Sequence, residues 1–178
     1  MILTAEAPAK INRELRVGRR RADGYHEIRS RLVSIDLADR LEVEPAGSLE
    51  FSCSGLPAPQ DETNLVVRAA RSLAGHAGIA PRARIRLEKR VPAGAGLGGG
   101  SADAVVALLL LAKLWETVVK EEDLSRIAAS LGSDVPFFLV GGQALAEGRG
   151  ERVRPMYEAP AIDLLLLIPP FSISTRAV

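Results

Sequence analysis

Five of the seven residues from Gly94 to Gly100 are glycine, within the stretch Val91-Pro92-Ala93-Gly94-Ala95-Gly96-Leu97-Gly98-Gly99-Gly100-Ser101-Ala102-Asp103. Glycine loses more backbone freedom on folding than any other residue, so a cluster this dense needs a reason to exist. Backbone without side chains lets several N–H groups converge on one anion. Ala83 to Lys89 alternates before the glycines, with Ile85 and Leu87 on one face, and an apolar run follows them. The pattern predicts a strand, a loop and then a helix from about Ser101 to Trp115. The first turn of such a helix has free N–H groups and the positive end of the helix dipole. Ser101 can cap it, or face a phosphate or that phosphate's metal ion. Together these parts make an anion cradle. A flexible turn is the plain alternative, and it suits a single glycine pair better than five glycines set between a strand and an apolar helix.

Two common nucleotide motifs come close without fitting. Gly94-x-Gly96-x-x-Gly99 matches the letters of the dinucleotide fingerprint. That fingerprint also needs a parallel βαβ unit and an acid ending the second strand about 20 residues on. Here that stretch is Val118-Val119-Lys120-Glu121, heading into a helix. No lysine follows the glycines, so the P-loop pattern is absent as well. An NAD(P)-dependent oxidoreductase stays open as an alternative on the fingerprint letters.

Elsewhere, Ile28–Ile35, Leu41–Glu44 and Leu49–Cys53 are short, partly alternating segments and predict antiparallel strands. Leu15 and Val17 suit the inward face of a strand continuing past Asn12. Asn64 to Ala77 has helical spacing (Leu65, Ala69, Leu73) and a stop at Gly78. A further helix begins near Glu121-Glu122-Asp123 and stops at Gly132. Gln143–Ala146 predicts a short strand, and Ile162–Ile168 a central buried one. Strands come in groups rather than in regular alternation with helices, so the expected class is α+β, a largely antiparallel sheet packed with helices.

Net charge is +1 over 178 residues. No nucleic-acid partner is expected, because such surfaces are usually strongly basic. The longest apolar run, Ala104 to Ala112, is far short of the roughly 20 residues of a membrane span, so no membrane partner is expected. Cys53 is the only cysteine. It allows no intrachain disulfide or cysteine-rich metal site and suits a reducing, cytoplasmic setting. The N-terminal residues have no charged stretch leading into an apolar one, so no signal peptide is expected.

Pro92-x-x-x-Gly96-Leu97-Gly98-x-x-Ser101-Ala102 resembles the central motif of the GHMP kinases. Three more segments extend the resemblance in order and spacing: Pro8-Ala9-Lys10-Ile11-Asn12, Asp23-Gly24-Tyr25-His26 and Gly132-Ser133-Asp134-Val135-Pro136-Phe137-Phe138. They match those members that phosphorylate a cytidylated polyol in isoprenoid biosynthesis. The resemblance implies the GHMP-kinase N-terminal fold (ribosomal protein S5 domain 2-like), with ATP as co-substrate and Mg2+ expected. It implies an ATP-binding N-terminal domain over residues 1–160, with 161–178 the start of a truncated C-terminal domain. A missing C-terminal half would leave turnover weak or absent.

Position by position, the resemblance implies Asp134 as general base with Lys10 as its charged partner. Pro92 through Ala102 would wrap the ATP phosphates, with Asn64 and Lys89 near the nucleotide. Asn12, Tyr25 and His26 would hold the cytidylated substrate. No metal ligand is assigned. The chemistry agrees, since a carboxylate beside an ammonium stays ionised and ready to accept a proton. Tyr25 can stack on a pyrimidine while His26 bonds its edge. Each residue also has a plainer interpretation: Lys10 a solvated charge, Asp134 a turn or cap residue, Tyr25-His26 a packed turn, Arg19–Arg21 a solvated loop. A nucleotide-binding remnant without catalysis is the remaining alternative.

Overall fold

The structure, a computed structural model, describes residues 1–157 and 162–168. In chain order the elements are β1 (Leu3–Arg20), β2 (His26–Glu44), β3 (Leu49–Gly55), α1 (Leu65–Ala77), β4 (Ala83–Lys89), α2 (Gly99–Leu114), α3 (Glu121–Leu131), α4 (Val135–Val140), β5 (Gln143–Gly148) and β6 (Arg152–Pro155). The six strands form one mixed sheet in the order β3-β4-β2-β5-β6, with β1 paired to β2. Among these pairs only β3 with β4 is parallel.

The sheet is organised by β2. Its C-terminal part (Arg40 to Glu44) pairs with β4 and its N-terminal part (Ile28 to Val33) with β5, while β1 runs along its other edge. The expected strands Ile28–Ile35 and Leu41–Glu44 are therefore one bent strand. The bend shows in the β1–β2 register, which shifts between Pro8 and Lys10 and again between Asn12 and Glu14. Such irregularities kink a strand and re-aim its side chains. Here they flank Lys10 and Asn12.

The core follows from two periodicities. On β4, Ala83, Ile85, Leu87 and Lys89 point inward and Arg84, Arg86 and Glu88 outward, the period of two expected of a sheet with one buried face. Along α2 nearly every side chain is apolar, so the helix can be covered on several sides. It packs on β1 and β2 and against α1, α3 and α4. Leu108, Leu111, Leu73, Ile85 and Leu41 are fully buried in the resulting cluster. Each contributes about 1.5–3 kcal/mol by leaving water. Helix α1 closes at Gly78 as its sequence predicts, and it opens on Asn64, whose side chain accepts the Val66 N–H at 2.9 Å as a cap.

Three expectations fail. Leu15 and Val17 are 51% and 61% exposed, because beyond Asn12 no layer among the described residues covers their face of β1. Ile162–Ile168 forms no strand, and Leu165 and Leu167 are 86% and 85% exposed. An apolar run becomes a central strand only with sheet neighbours and cover on both faces. Among the described residues this run has neither, and Leu166 alone packs on the small cluster of Ala9, Val91 and Leu97. Thirdly, Leu49–Cys53, expected as an antiparallel strand, pairs parallel with β4 within β3, because the crossover through α1 returns the chain in the same direction. As the sequence indicated, Gly94-x-Gly96-x-x-Gly99 does not open a βαβ unit, since the next strand, β5, pairs antiparallel with β2 and is not a parallel neighbour of β4. The boundary expected at residues 160–161 lies outside the described residues. No helix among them is long and apolar enough to cross a membrane.

Candidate functional site

The glycine loop joins the end of β4 to the start of α2, which begins at Gly99, two residues before the expected Ser101. Gly98 stands at the helix N-cap with φ +70°, a left-handed conformation that costs glycine little. A Cβ there would also lie 2.8 Å from Phe138 Cζ and 3.0 Å from Lys10 Cγ. Position 98 is thus restricted to glycine by both backbone and space. Its carbonyl accepts the amides of Ser101 and Ala102, each at 3.0 Å. The preceding amides, Gly99 and Gly100, have no acceptor among the described residues. Ala93 to Gly96 are exposed, as is Gly100, and Ser101 is half-buried. Free amides at the positive end of an apolar helix favour an anion.

Lys10 borders this mouth. Its backbone N–H donates to Leu97 O at 2.8 Å, tying β1 to the loop. Its ammonium is 2.7 Å from Asn12 Oδ1 and 3.3 Å from Asp134 Oδ2. Asn12 Nδ2 donates to Ser30 Oγ at 2.7 Å, and the Ser30 hydroxyl donates to the Glu14 carbonyl at 2.8 Å. Each donor in this chain faces one acceptor, so the Asn12 amide has a fixed orientation. Asp134 precedes α4, a helix unrecognised in the sequence, yet its side chain caps nothing. The Lys10 side chain is 6% exposed and that of Asp134 42%. A nearly buried ammonium thus holds a carboxylate that faces solvent.

Beneath the loop lies a second charged cluster. Lys89 continues the inward face of β4 and is 3% exposed. Its ammonium bonds Asp39, and Asp103 at 2.9 Å; both acids are buried. Asp39 Oδ1 also accepts the amides of Arg90 at 2.6 Å and Val91 at 2.8 Å. Burial disfavours the Lys89 ammonium, but Asp103 and Asp39 outweigh it and hold its pKa above the usual lysine value. Burial pushes the Asp103 carboxyl up to about 7, against the opposing pull of Lys89. The two directions are compatible, because one ammonium serves two carboxylates and one negative charge is in excess.

The remaining sequence candidates lie around this centre. Asn64 is buried as the cap of α1, and Leu65 Cδ1 would sit 3.7 Å from a Cβ on Gly100, so the starts of α1 and α2 are neighbours. Tyr25 and His26 are exposed at the far end of the β1–β2 hairpin, where Arg20 pairs with His26. The Arg149 guanidinium lies 5.0 Å from the Tyr25 ring centroid. Next to it, a Cβ on Gly150 would lie 3.3 Å from Ser133 O and 3.6 Å from Ile28 Cδ1. The β5–β6 turn therefore links the Tyr25 end of the hairpin to the segment carrying Asp134. The structure brings Lys10, Asn12, Asp134 and the glycine loop into one group. Tyr25 and His26 stay at its margin, and Lys89 and Asn64 lie within its walls. Ser30, Asp39, Asp103, Phe138 and Arg149 escaped the sequence reading. Only Lys89's inward register on β4, which demands a buried acid, gave a sequence signal for any of them.

Residues 64–142 match the family described as GHMP kinases N terminal domain. The chain is 48% identical to the 4-diphosphocytidyl-2-C-methyl-D-erythritol kinase of Pelotomaculum thermopropionicum, over 100% of this chain and 63% of that relative. It is 48% identical to the kinase of the same name from Deinococcus radiodurans, over 90% of this chain and 54% of the relative. A crystal structure of 4-(cytidine 5'-diphospho)-2C-methyl-D-erythritol kinase matches with a TM-score of 0.76 at 47% identity, covering 86% of this chain and 55% of that one. The Methanococcus jannaschii mevalonate kinase, at 13% identity and a TM-score of 0.63, shares the fold. The chain spans less than two thirds of the length of these curated relatives.

Proposed function

The chain belongs to the GHMP kinases, whose N-terminal domain it carries, and from this we propose that it is the N-terminal part of an ATP-dependent kinase acting on 4-diphosphocytidyl-2-C-methyl-D-erythritol. The reaction is phosphorylation of that substrate's 2-hydroxyl, in non-mevalonate isoprenoid biosynthesis. The observation that carries the proposal is the Lys10–Asp134 contact at 3.3 Å, on a lysine whose own backbone is bonded to the glycine loop. It puts a proton acceptor beside an anion cradle, as phosphoryl transfer to an alcohol requires.

In this mechanism Pro92 to Ala102 hold the ATP phosphates with main-chain amides. Asp134 takes the proton of the 2-hydroxyl as its oxygen attacks the γ-phosphorus; the new O–P bond forms, the bond to the β–γ bridging oxygen breaks, and ADP leaves. Lys10 holds the Asp134 carboxylate in place through their 3.3 Å contact and offsets charge on the transferring group. The Asn12 amide, held by Ser30, orients the polyol. Tyr25, with Arg149 over its ring, and His26 receive the cytidine end. Asn64 and Lys89 serve the nucleotide by shaping its surroundings. Magnesium belongs to the same proposal. Among the described residues no three His, Cys, Asp or Glu side chains converge to cage an ion. The half-buried Ser101 hydroxyl is the side chain that would stand near a phosphate-bound ion. When bound, it would neutralise phosphate charge.

The domain assignment, residues 1–160 for nucleotide binding and 161–178 for the start of a second domain, is part of this proposal, as are a cytoplasmic setting and a need for a C-terminal part. The test uses this chain and a longer relative-length chain, with ATP and the cytidylated methylerythritol. Both are expected to bind a non-hydrolysable ATP analogue, and the longer one to transfer phosphate in an Asp134-dependent manner. Undiminished transfer by the Asp134→Asn variant would overturn the mechanism. Analogue binding with no transfer at any chain length would favour the non-catalytic remnant.

A further inference from the structure

The buried cluster under the glycine loop has an asymmetry that its charges alone do not reveal. Asp39 uses both carboxylate oxygens: Oδ1 accepts the amides of Arg90 and Val91, and Oδ2 accepts from Lys89. Asp103 uses only Oδ2, on Lys89, and its buried Oδ1 has no partner among the described residues. Arg90 and Val91 form the chain's path from β4 into the loop. The ammonium they share through Asp39 sits under the start of α2, since a Cβ on Gly99 would lie 3.1 Å from Lys89 Nζ and 2.8 Å from Val91 Cγ1. The lead-in to the loop and the helix behind it are therefore fixed to one side chain of β2.

We propose that Asp39 is a positioning residue for the loop, holding the run from Arg90 to Gly99 in its anion-binding shape through two main-chain amides and Lys89 before any ligand arrives. The ligand part of this statement rests on the assignment of Pro92 to Ala102 to ATP phosphates; the ordering part does not. The hydrogen-bond inventory of a carboxamide gives the discriminating consequence. Asparagine has one acceptor and one donor end. At position 39 either orientation points an NH2 group at a donor, the Lys89 ammonium or the two amides. At position 103 an asparagine can turn its oxygen to Lys89 and its NH2 to the side where Oδ1 has no partner. Asp39→Asn and Asp103→Asn make the same carboxyl-to-carboxamide change in the same cluster with the same volume, yet only the first breaks the wiring.

The experiment compares these two variants with the parent chain by hydrogen–deuterium exchange of peptides covering residues 90–102. Affinity for a non-hydrolysable ATP analogue with Mg2+ and the global urea midpoint are measured alongside. Asp39→Asn is expected to speed loop exchange and weaken the analogue by on the order of tenfold or more, as loss of a supporting contact behind a binding group does. Asp103→Asn is expected to leave both close to the parent. Equal loosening in the two variants would overturn the proposal, because the loop would then respond to any change in the cluster and not to the Asp39 wiring. A lowered midpoint in Asp39→Asn with loop exchange unchanged would overturn it by reducing Asp39 to a general stabiliser. Should Asp39→Asn fail to fold, Asp103→Asn still decides, because a loosened loop there contradicts the assignment. If the parent binds no analogue while the exchange contrast holds, the positioning role stands and the ATP assignment falls.

Discussion

Lys10 and Lys89 flank the same glycine loop and are almost equally buried, at 5% and 3% exposure. What differs is the acid each one meets. Lys89 faces Asp39 and Asp103, both sealed from solvent, and its contacts end inside the wall. Lys10 faces Asp134, whose side chain is 42% exposed, and Asn12, which is also exposed. A buried ammonium with buried partners can only hold structure. A buried ammonium whose acid opens to solvent can act on something arriving from solvent. The location of the carboxylate, more than that of the lysine, separates the chemical half of the site from the supporting half.

The sharpest way to break this contrast is Lys89→Met. It strands two carboxylates in the core, and loss of one partner of a buried ion pair costs about 3–5 kcal/mol. Urea unfolding is expected to show a chain with little or no cooperative folded state at neutral pH. A midpoint near the parent's would remove the supporting role. Asp134→Asn tests the other half. Phosphoryl transfer, in a chain length that supports turnover, is expected to fall about 10²- to 10⁴-fold, the usual weight of a positioned general base. Stability should move by less than about 1 kcal/mol, as for a solvent-facing ion pair.

A smaller effect sharpens the contrast through pH. The Asp103 carboxyl is raised by burial to about 7, so the folded chain holds a proton that the unfolded chain has released. Its contribution to stability is complete below the ordinary aspartate pKa of about 4, and is lost as pH rises through about 7. The raised Lys89 adds a loss only above the ordinary lysine range, outside that window. The parent's urea midpoint should therefore fall between pH 5 and pH 8, and Asp103→Asn should flatten that decline. Smallest of all is Arg149→Met. Removing a half-buried cation over the exposed Tyr25 ring should cost about 0.5–1 kcal/mol of stability, read from thermal unfolding.

The sequence revealed these regions unequally. The glycine loop, α1 with its glycine stop, β4 and α3 were legible because local chemistry determines them: glycine density, helical apolar spacing closed by Gly78, a period of two, a row of acids before an apolar stripe. The sequence also suggested Lys10 and Asp134, though only their shared family pattern joined two residues 124 positions apart. Asp39 was hidden, since an acid in an alternating strand looks solvated until its neighbours across the sheet are known. Leu15, Val17 and Ile162–Ile168 misled for the opposite reason. Apolar residues predict burial, but whether a layer covers them is decided by the tertiary arrangement, and here none does among the described residues.

The divided pairing of β2 has a consequence for how the chain acquires its shape. Its partnership with β1 needs only a short reversal between residues 20 and 26, an event on the scale of about 1–10 μs. Its partnership with β4 completes a sheet in which β4 is joined to its parallel neighbour β3 through a crossover containing α1. Distant pairings of this kind are slow, because chain entropy is lost before contacts compensate. The ribbon that presents Lys10 and Tyr25 can therefore assemble early, and the nest of amides opposite it must wait for the crossover to close.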